Sequence, residues 1–273
     1  MLSFNSMSAL PADRESSANQ RTAIERIATM RRINSATDDA AGSAIADRLA
    51  AALRSSTVAV QAMEDGQSLA ETADGALSQT TEHLQRMREL AQQAGNGTYT
   101  DRDREALNRE YRQMAAEVER TLASTRFNGQ AVLAGDAGST PLPAGPGPTD
   151  TITVDTQNLQ QNAQVMAATA GSLSGPQAGP SHAAQMTKSL DDALKTVSEL
   201  RATLGAAQSR LSSAASSLQQ QVAASSSSYE RLTGSNMAAE VSRMHSAQTA
   251  QYAAVSMLAQ STQNRRNLLM LVA

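Results

Sequence analysis

The sequence has no cysteine and no tryptophan, and only two Phe and four Tyr among 273 residues. The missing cysteine excludes disulfides and thiolate chemistry. That suits an exported chain that avoids oxidative cross-linking, and equally a cytosolic one. Scarce aromatics remove the side chains that usually supply much of a compact core's buried area. The apolar interior must then be thin and filled by Ala, Leu and Met, as between long helices lying side by side. No run approaches the roughly 20 apolar residues of a membrane span. The opening "MLSFNSMSALPADRESS" lacks the basic and apolar regions of a cleavable secretory signal, so export would need another route. A formal net charge of -3 gives no electrostatic reason to expect nucleic acid or an anionic membrane as a partner.

Catalytic signatures are missing as well. There is no GxxxxGK[ST], no GxGxxG after a strand and no GxSxG. His83, His182 and His245 lie far apart without ligand-type spacing, so no metal site is expected. "NGT" at 96–98 matches a glycosylation sequon at chance frequency. The methionines fall mostly at helical spacing and read as core filling. Asp38 and Asp39 are adjacent carboxylates, but helical neighbours point about 100° apart and do not face one site. Aspartates at a helix start meet free N–H groups and the positive end of the dipole. Thr37, Asp38 and Asp39 are therefore read as the N-cap and first turn of a helix. No catalytic residue and no cofactor is expected, and the chain is not read as an enzyme.

What is present is helical periodicity at both ends around an irregular middle. Thr37 to Ala94 contains no proline, and apolar residues recur at Ile45, Leu49, Ala52, Ala59, Met63, Leu69, Leu77, Leu84 and Leu90 at helical intervals. "AGNGTYT" ends this helix, with Gly95 and Gly97 able to take a positive φ. Thr100 or Asp101 caps the next, whose stripe is Leu107, Tyr111, Met114, Val118 and Leu122. Asn128-Gly129 predicts a tight turn. Residues 134–180 are rich in Pro and Gly. There "TITVDT" (151–156) predicts a short strand, paired with a neighbour near "AVLA". The stretch reads as a small β-containing knob with loops. From Leu190 to Leu232 the apolar positions advance by threes and fours, about 3.5 residues on average, the coiled-coil repeat. After "TGSN" an Ala-rich helix continues through Val241, Met244, Gln248, Tyr252, Val255 and Leu258. A helix of about 50 residues extends roughly 75 Å and needs a partner from the same chain or another. The fold class predicted is mainly α: a long antiparallel coiled-coil-like bundle with the N- and C-terminal segments paired and a small β-hairpin region in the middle.

"AIERIATMRRINSATDDAAGSAIADRL", "EDGQSLAETADGALSQTTEHLQRMRELAQQAGNGT" and "RFNGQAVLAG" resemble the amino-terminal region of bacterial flagellins. "LGAAQSRLSSAASSLQQQV" and "AAEVSRMHSAQTAQYAAVSMLAQSTQNRRNLLML" resemble the carboxy-terminal region. The resemblance covers about residues 23–135 and 186–273, in the family's order, with a central part of about 50 residues like that of short flagellins. It implies that residues 1–39 and 233–273 form an inner helical layer. Residues 40–232 would form an outer elongated bundle, with 134–180 facing solvent. The ends would order only against neighbouring subunits, a coupling of folding to binding, and the chain would leave through the flagellar type III channel. Implied partners are further copies of the chain in a helical homopolymer, an export chaperone, the filament cap and hook-associated proteins.

The cluster "LQRMREL" (84–90) reads from spacing alone as a solvated helix face, with Leu84 and Met87 or Leu90 turned inward. That reading comes ahead of a contact surface on Arg86 and Leu90, which are four apart and share a face. The resemblance implies more. Arg86, Leu90 and Glu110 match positions where flagellins pack between subunits and meet the vertebrate innate immune receptor for flagellin. Three departures fall in the assembling ends. Pro11 lies inside the expected first helix, where proline costs about 3 kcal/mol. Met30 stands where the family commonly has Gly. Arg265-Arg266 stands where a Val-Pro pair is frequent, and two guanidiniums in a packed lumen need carboxylates or water. The rival readings are a hook–filament junction protein, a surface adhesin on a flagellin scaffold, and an enzyme grafted into the central insert. "INSATDDAAGSAIADRL" disfavours the first. The second lacks an aromatic or charged groove in 134–180, and the third lacks room and His/Glu spacing.

Overall fold

The computed structural model describes residues 4–135, 138–145, 147, 149–175 and 179–272, without the side chains of 4–12, 265 and 268–272. Among the described residues six helices and four short strands follow in order: α1 Phe4–Thr29, α2 Ala40–Ala94, α3 Asp101–Ser124, β1 Arg126–Phe127, β2 Gln130–Ala131, β3 Ser139–Pro143, β4 Thr151–Asp155, α4 Ala163–Thr169, α5 Pro180–Thr233 and α6 Met237–Val272. They divide into two compact units. One is built from the two ends of the chain, up to Leu53 and from Ala223; the other is Arg54–Val222.

The Arg54–Val222 unit is organised by two heptad seams. On α2, Ser56, Ala59, Met63, Gly66, Ala70, Ala73, Leu77, Thr80, Leu84, Met87, Ala91 and Ala94 are all buried, an unbroken alternation of three- and four-residue steps. On α5, Leu190, Ala193, Val197, Leu200, Leu204, Ala207 and Leu211 continue the same alternation, and Leu218 follows one heptad later. Two seams of this period pack as knobs into holes. The small residues on α2 keep the interface thin. Gly66 is glycine because Leu142 of β3 occupies the place a Cβ would need, 2.0 Å away.

Helix α3 begins with a capping box, Thr100 accepting from the Asp103 N–H and Asp103 accepting from Thr100, which satisfies two free donors at once. Its buried face carries Tyr111, Val118 and Leu122, with Leu107 and Met114 partly buried against the core. Arg104 Nε donates to the Ala94 carbonyl at 3.1 Å, and its Nη2 donates to the Asn96 carbonyl at 3.3 Å, closing the open end of α2. Asn128 and Gly129, with φ of 49° and 82°, turn β1 back onto β2, as an Asn-Gly pair favours.

Strand β4 does form, but its partner is β3, in the register Thr140↔Val154 and Leu142↔Ile152, not the segment near "AVLA". Pro141 and Pro143 disguise β3 as a loop; lacking an N–H, each is tolerated only in an edge strand such as this. The middle of the chain is also less peripheral than its composition suggests. Val154, Leu159, Val165, Ala168 and Leu173 are buried in the same cluster as Tyr111 and Leu190.

In the unit of the two ends, α1 and α6 run antiparallel, with Arg26 near Glu240 and Ser17 near Gln251. α1 continues through Pro11. Among the unit's described side chains few apolar ones are buried: Ala23 on α1, Ile33 in the connector, Ala46 on α2, and Ala247 and Ala254 on α6. Among the described residues no helix is long and apolar enough to cross a membrane.

Candidate assembly surfaces

Residues 30–39 tie three helix ends together. Met30 ends α1 with a φ of 56°, the left-handed region that costs a side chain about 1–2 kcal/mol. Its carbonyl accepts from the Ser235 N–H at 3.1 Å, and the Arg32 N–H donates to the Thr233 carbonyl at 2.6 Å. Between them Arg31 bridges Gly234, and its guanidinium lies 5.4 Å from the centre of the Tyr229 ring, a cation–π contact.

The three residues expected at the start of α2 have separate tasks. Asp39 lies just before the helix, and its Oδ1 accepts from the Gly42 N–H at 2.8 Å. Asp38 turns away to close the preceding loop, its Oδ2 accepting from the Asn34 and Ser35 N–H groups at 3.1 and 3.0 Å. These bonds hold its carboxyl below the ordinary value of 3.8, with a smaller contribution from Arg26. The Thr37 hydroxyl is 2.6 Å from that of Ser35.

Beside this joint, a cleft of about 600 Å³ between α1 and α6 is lined by Thr22, Arg26, Glu240, Arg243 and Ser246 among others. Glu240 is buried, and its Oε1 accepts from Arg243 at 2.6 Å and lies 3.7 Å from Arg26. Its Oε2 and the Arg26 Nε are buried without hydrogen-bond partners. Nothing in the sequence singles out Glu240.

In the Arg54–Val222 unit, charged pairs join the helices across their exposed edges. Arg86 on α2 donates from Nε and Nη2 to one oxygen of Glu110 on α3, at 2.9 and 2.7 Å, and from Nη1 to Glu89 at 2.9 Å. The two carboxylates raise the pKa of its guanidinium further. Arg88 donates to Asp191 on α5 at 2.6 Å, and Arg201 on α5 donates to Asp74 on α2 at 2.8 Å. Of the trio expected at a contact surface, Arg86 and Glu110 come together on the outside. Leu90 does not join them: it is 0% exposed, because it points into the core beside the heptad seam.

Two polar links were not anticipated from sequence. The Tyr111 hydroxyl donates to the Ala168 carbonyl at 2.6 Å, and burial pushes its pKa up. Asn108 Oδ1 accepts from the Leu173 N–H at 2.8 Å and the Ser172 hydroxyl at 3.1 Å, while His182 Nε2 lies 2.7 Å from the Ser172 carbonyl. Together they bind α4 and the following loop to α3 and α5. The described residues hold no cluster of three His, Cys, Asp or Glu side chains able to bind a metal ion.

Comparison with known proteins accounts for this arrangement. The model of the bacterial flagellin N-terminal helical region matches residues 3–137, and that of the bacterial flagellin C-terminal helical region matches residues 187–272. A flagellin of Halalkalibacterium halodurans is 34% identical over 92% of this chain and 90% of its own length. The B-type flagellin of Pseudomonas aeruginosa is 43% identical over 54% of this chain, a match that spans 30% of that longer protein. The crystal structure of Bacillus cereus flagellin superimposes with a TM-score of 0.50 at 28% identity, covering 57% of this chain and 86% of that one. With both helical regions in their order and one relative matched almost end to end, the chain belongs to the bacterial flagellin family, the structural subunits of the extracellular flagellar filament.

Proposed function

We propose that residues 1–39 and 233–273 are the inner assembly segments of this filament subunit, and that 40–232 form its outer bundle, with 134–180 carrying the solvent-facing β3–β4 hairpin. The observation that carries this reading is the state of α6 after Tyr252. From there to Asn267 only Ala254 is buried among the side chains described, while Tyr252, Val255 and Met257 are 69%, 53% and 61% exposed. A helix that buries so little of itself gains most of its stability from packing, and further copies of the chain supply that packing. The filament works mechanically: long helices held by two heptad seams and cross-helix charge pairs transmit torque.

The same incompleteness suits passage through the flagellar type III channel. An export chaperone would cover the carboxy-terminal helix beforehand, and the filament cap and hook-associated proteins would meet the subunit afterwards. The exposed Arg86–Glu110 pair is the surface offered to a neighbouring subunit and, on a free subunit, to the vertebrate innate immune receptor for flagellin. Purified full-length chain added to filament seeds tests the reading by electron microscopy. Hollow, helically ordered tubes are expected, and persistent monomers would overturn it.

A further inference from the structure

The seam between α1 and α6 repeats itself. On α6 the positions Glu240, Met244, Ala247, Gln251, Ala254 and Leu258 are buried or half-buried, an alternation of four- and three-residue steps. On α1 Asp13, Ser16, Gln20, Ala23 and Ile27 follow the same alternation. Two seams of one period can pack in more than one register. A slide of seven residues, roughly 10 Å, sets heptad on heptad again. Apolar side chains do little to choose between these registers. The buried ones on the two helices are alanines, Ala23, Ala247 and Ala254, and Ala254 takes the place of Ala247 after such a slide. The cleft of about 600 Å³ lined by Arg26 and Glu240 leaves the facing side chains loosely interlocked.

Glu240 breaks the degeneracy. Among the described residues it is the one charged side chain buried in this unit, and the only acid on α6. Its Oε1 lies 3.7 Å from Arg26 Nη1 on α1, and Arg26 is itself held 3.9 Å from Asp38, beyond the end of α1. Arg243 also donates to Glu240, but it sits on the same helix, moves with it and carries no register information. Slid by one heptad, Glu240 would face Asn19 or run past the end of α1 at Thr29, and would lose Arg26 either way. The pair is a poor stabiliser, since Glu240 Oε2 and Arg26 Nε are buried without hydrogen-bond partners and a buried ion pair so incompletely bonded seldom outweighs its desolvation. Taking one partner away is costly all the same, and that cost penalises a wrong register. We propose that Glu240 and Arg26 fix the register of α1 against α6, as a single polar residue does in a coiled-coil seam. The inference concerns one chain and stands apart from filament growth.

The chain has no cysteine, so introduced cysteine pairs report the register directly. Gln251 Nε2 lies 3.4 Å from Ser17 Oγ across the interface. S17C/Q251C therefore closes a disulfide in the observed register, whereas S17C/M244C and S17C/L258C close one only after a slide of seven residues. Dilute full-length monomer is equilibrated in a glutathione redox buffer, and closure within one chain is read on denaturing gels. In the parent background the in-register pair closes at least about tenfold more readily than either slid pair. With R26M/E240M that difference falls below about threefold, while the urea midpoint is unchanged or higher. E240Q, which removes only the charge, repeats the comparison where the double variant loses helix. Equal closure of all three pairs in the parent, or a preference that survives both R26M/E240M and E240Q, would overturn the proposal.

Discussion

Arg86 and Glu110 share two hydrogen bonds through a single carboxylate oxygen, at 2.9 and 2.7 Å, and so join α2 to α3. Their side chains are 44% and 41% exposed, which screens the pair. R86A should therefore destabilise the monomer only slightly, as the loss of an exposed ion pair does, measured by urea denaturation. Its effect on a reporter-cell assay of the innate receptor should be larger in proportion. A full response from R86A would remove Arg86 from that surface.

Met30 occupies a backbone conformation that glycine adopts without cost, with φ 56° and a side chain 67% exposed. Little packing is lost on truncation. M30G should stabilise the monomer by about 0.5–1 kcal/mol, less than the full left-handed penalty because glycine also loses more entropy on folding. A shift of the urea midpoint upward with an unchanged slope is the expected reading.

Tyr111 is fully buried and donates to the Ala168 carbonyl. Y111F keeps the ring but strands a buried acceptor, a loss of about 1–2 kcal/mol. Hydrogen exchange should speed up in α4 and the loop after it more than in α2.

Asp38 is held in its charged form by the Asn34 and Ser35 N–H groups, with its pKa below 3.8. A carboxylate depressed in the folded state adds stability above its unfolded pKa and loses it as pH falls through the folded value. The melting temperature of the parent should therefore fall as pH drops below about 4. D38N should fall less steeply over that range, having lost the same contribution at neutral pH. Asp103, lowered by its bonds to Thr100, shifts in the same direction, so the slope is reduced rather than abolished.

Several of these features were legible in the residues. The α5 seam stands out because leucines mark it. The turn at Asn128-Gly129 and the capped start of α3 follow from residue type and position. The α2 seam is as regular but harder to see, because two thirds of its buried positions are Ala, Gly, Ser and Thr, which carry no strong hydropathy; Ile45, a larger residue on the same helix, is 48% exposed. Helix α4 escaped notice among prolines and glycines, although Asn162, which caps it by accepting from Gln164 and Val165, preceded an apolar pair. Arg86 and Glu110 were recognisable by resemblance, whereas the burial of Leu90 depends on α2's rotation within the bundle. The Arg26–Glu240 contact joins residues more than 200 positions apart, and only the antiparallel register of α1 and α6 brings them together.

The central claim is that α1 and α6 complete their packing only against other copies of the chain. Hydrogen exchange over residues 252–267, measured on the dilute monomer and on sedimented filaments of the same preparation, tests it most directly. Rapid exchange in the monomer and strong protection in the filament is the predicted result. Equal protection of that stretch in the isolated monomer would contradict the account.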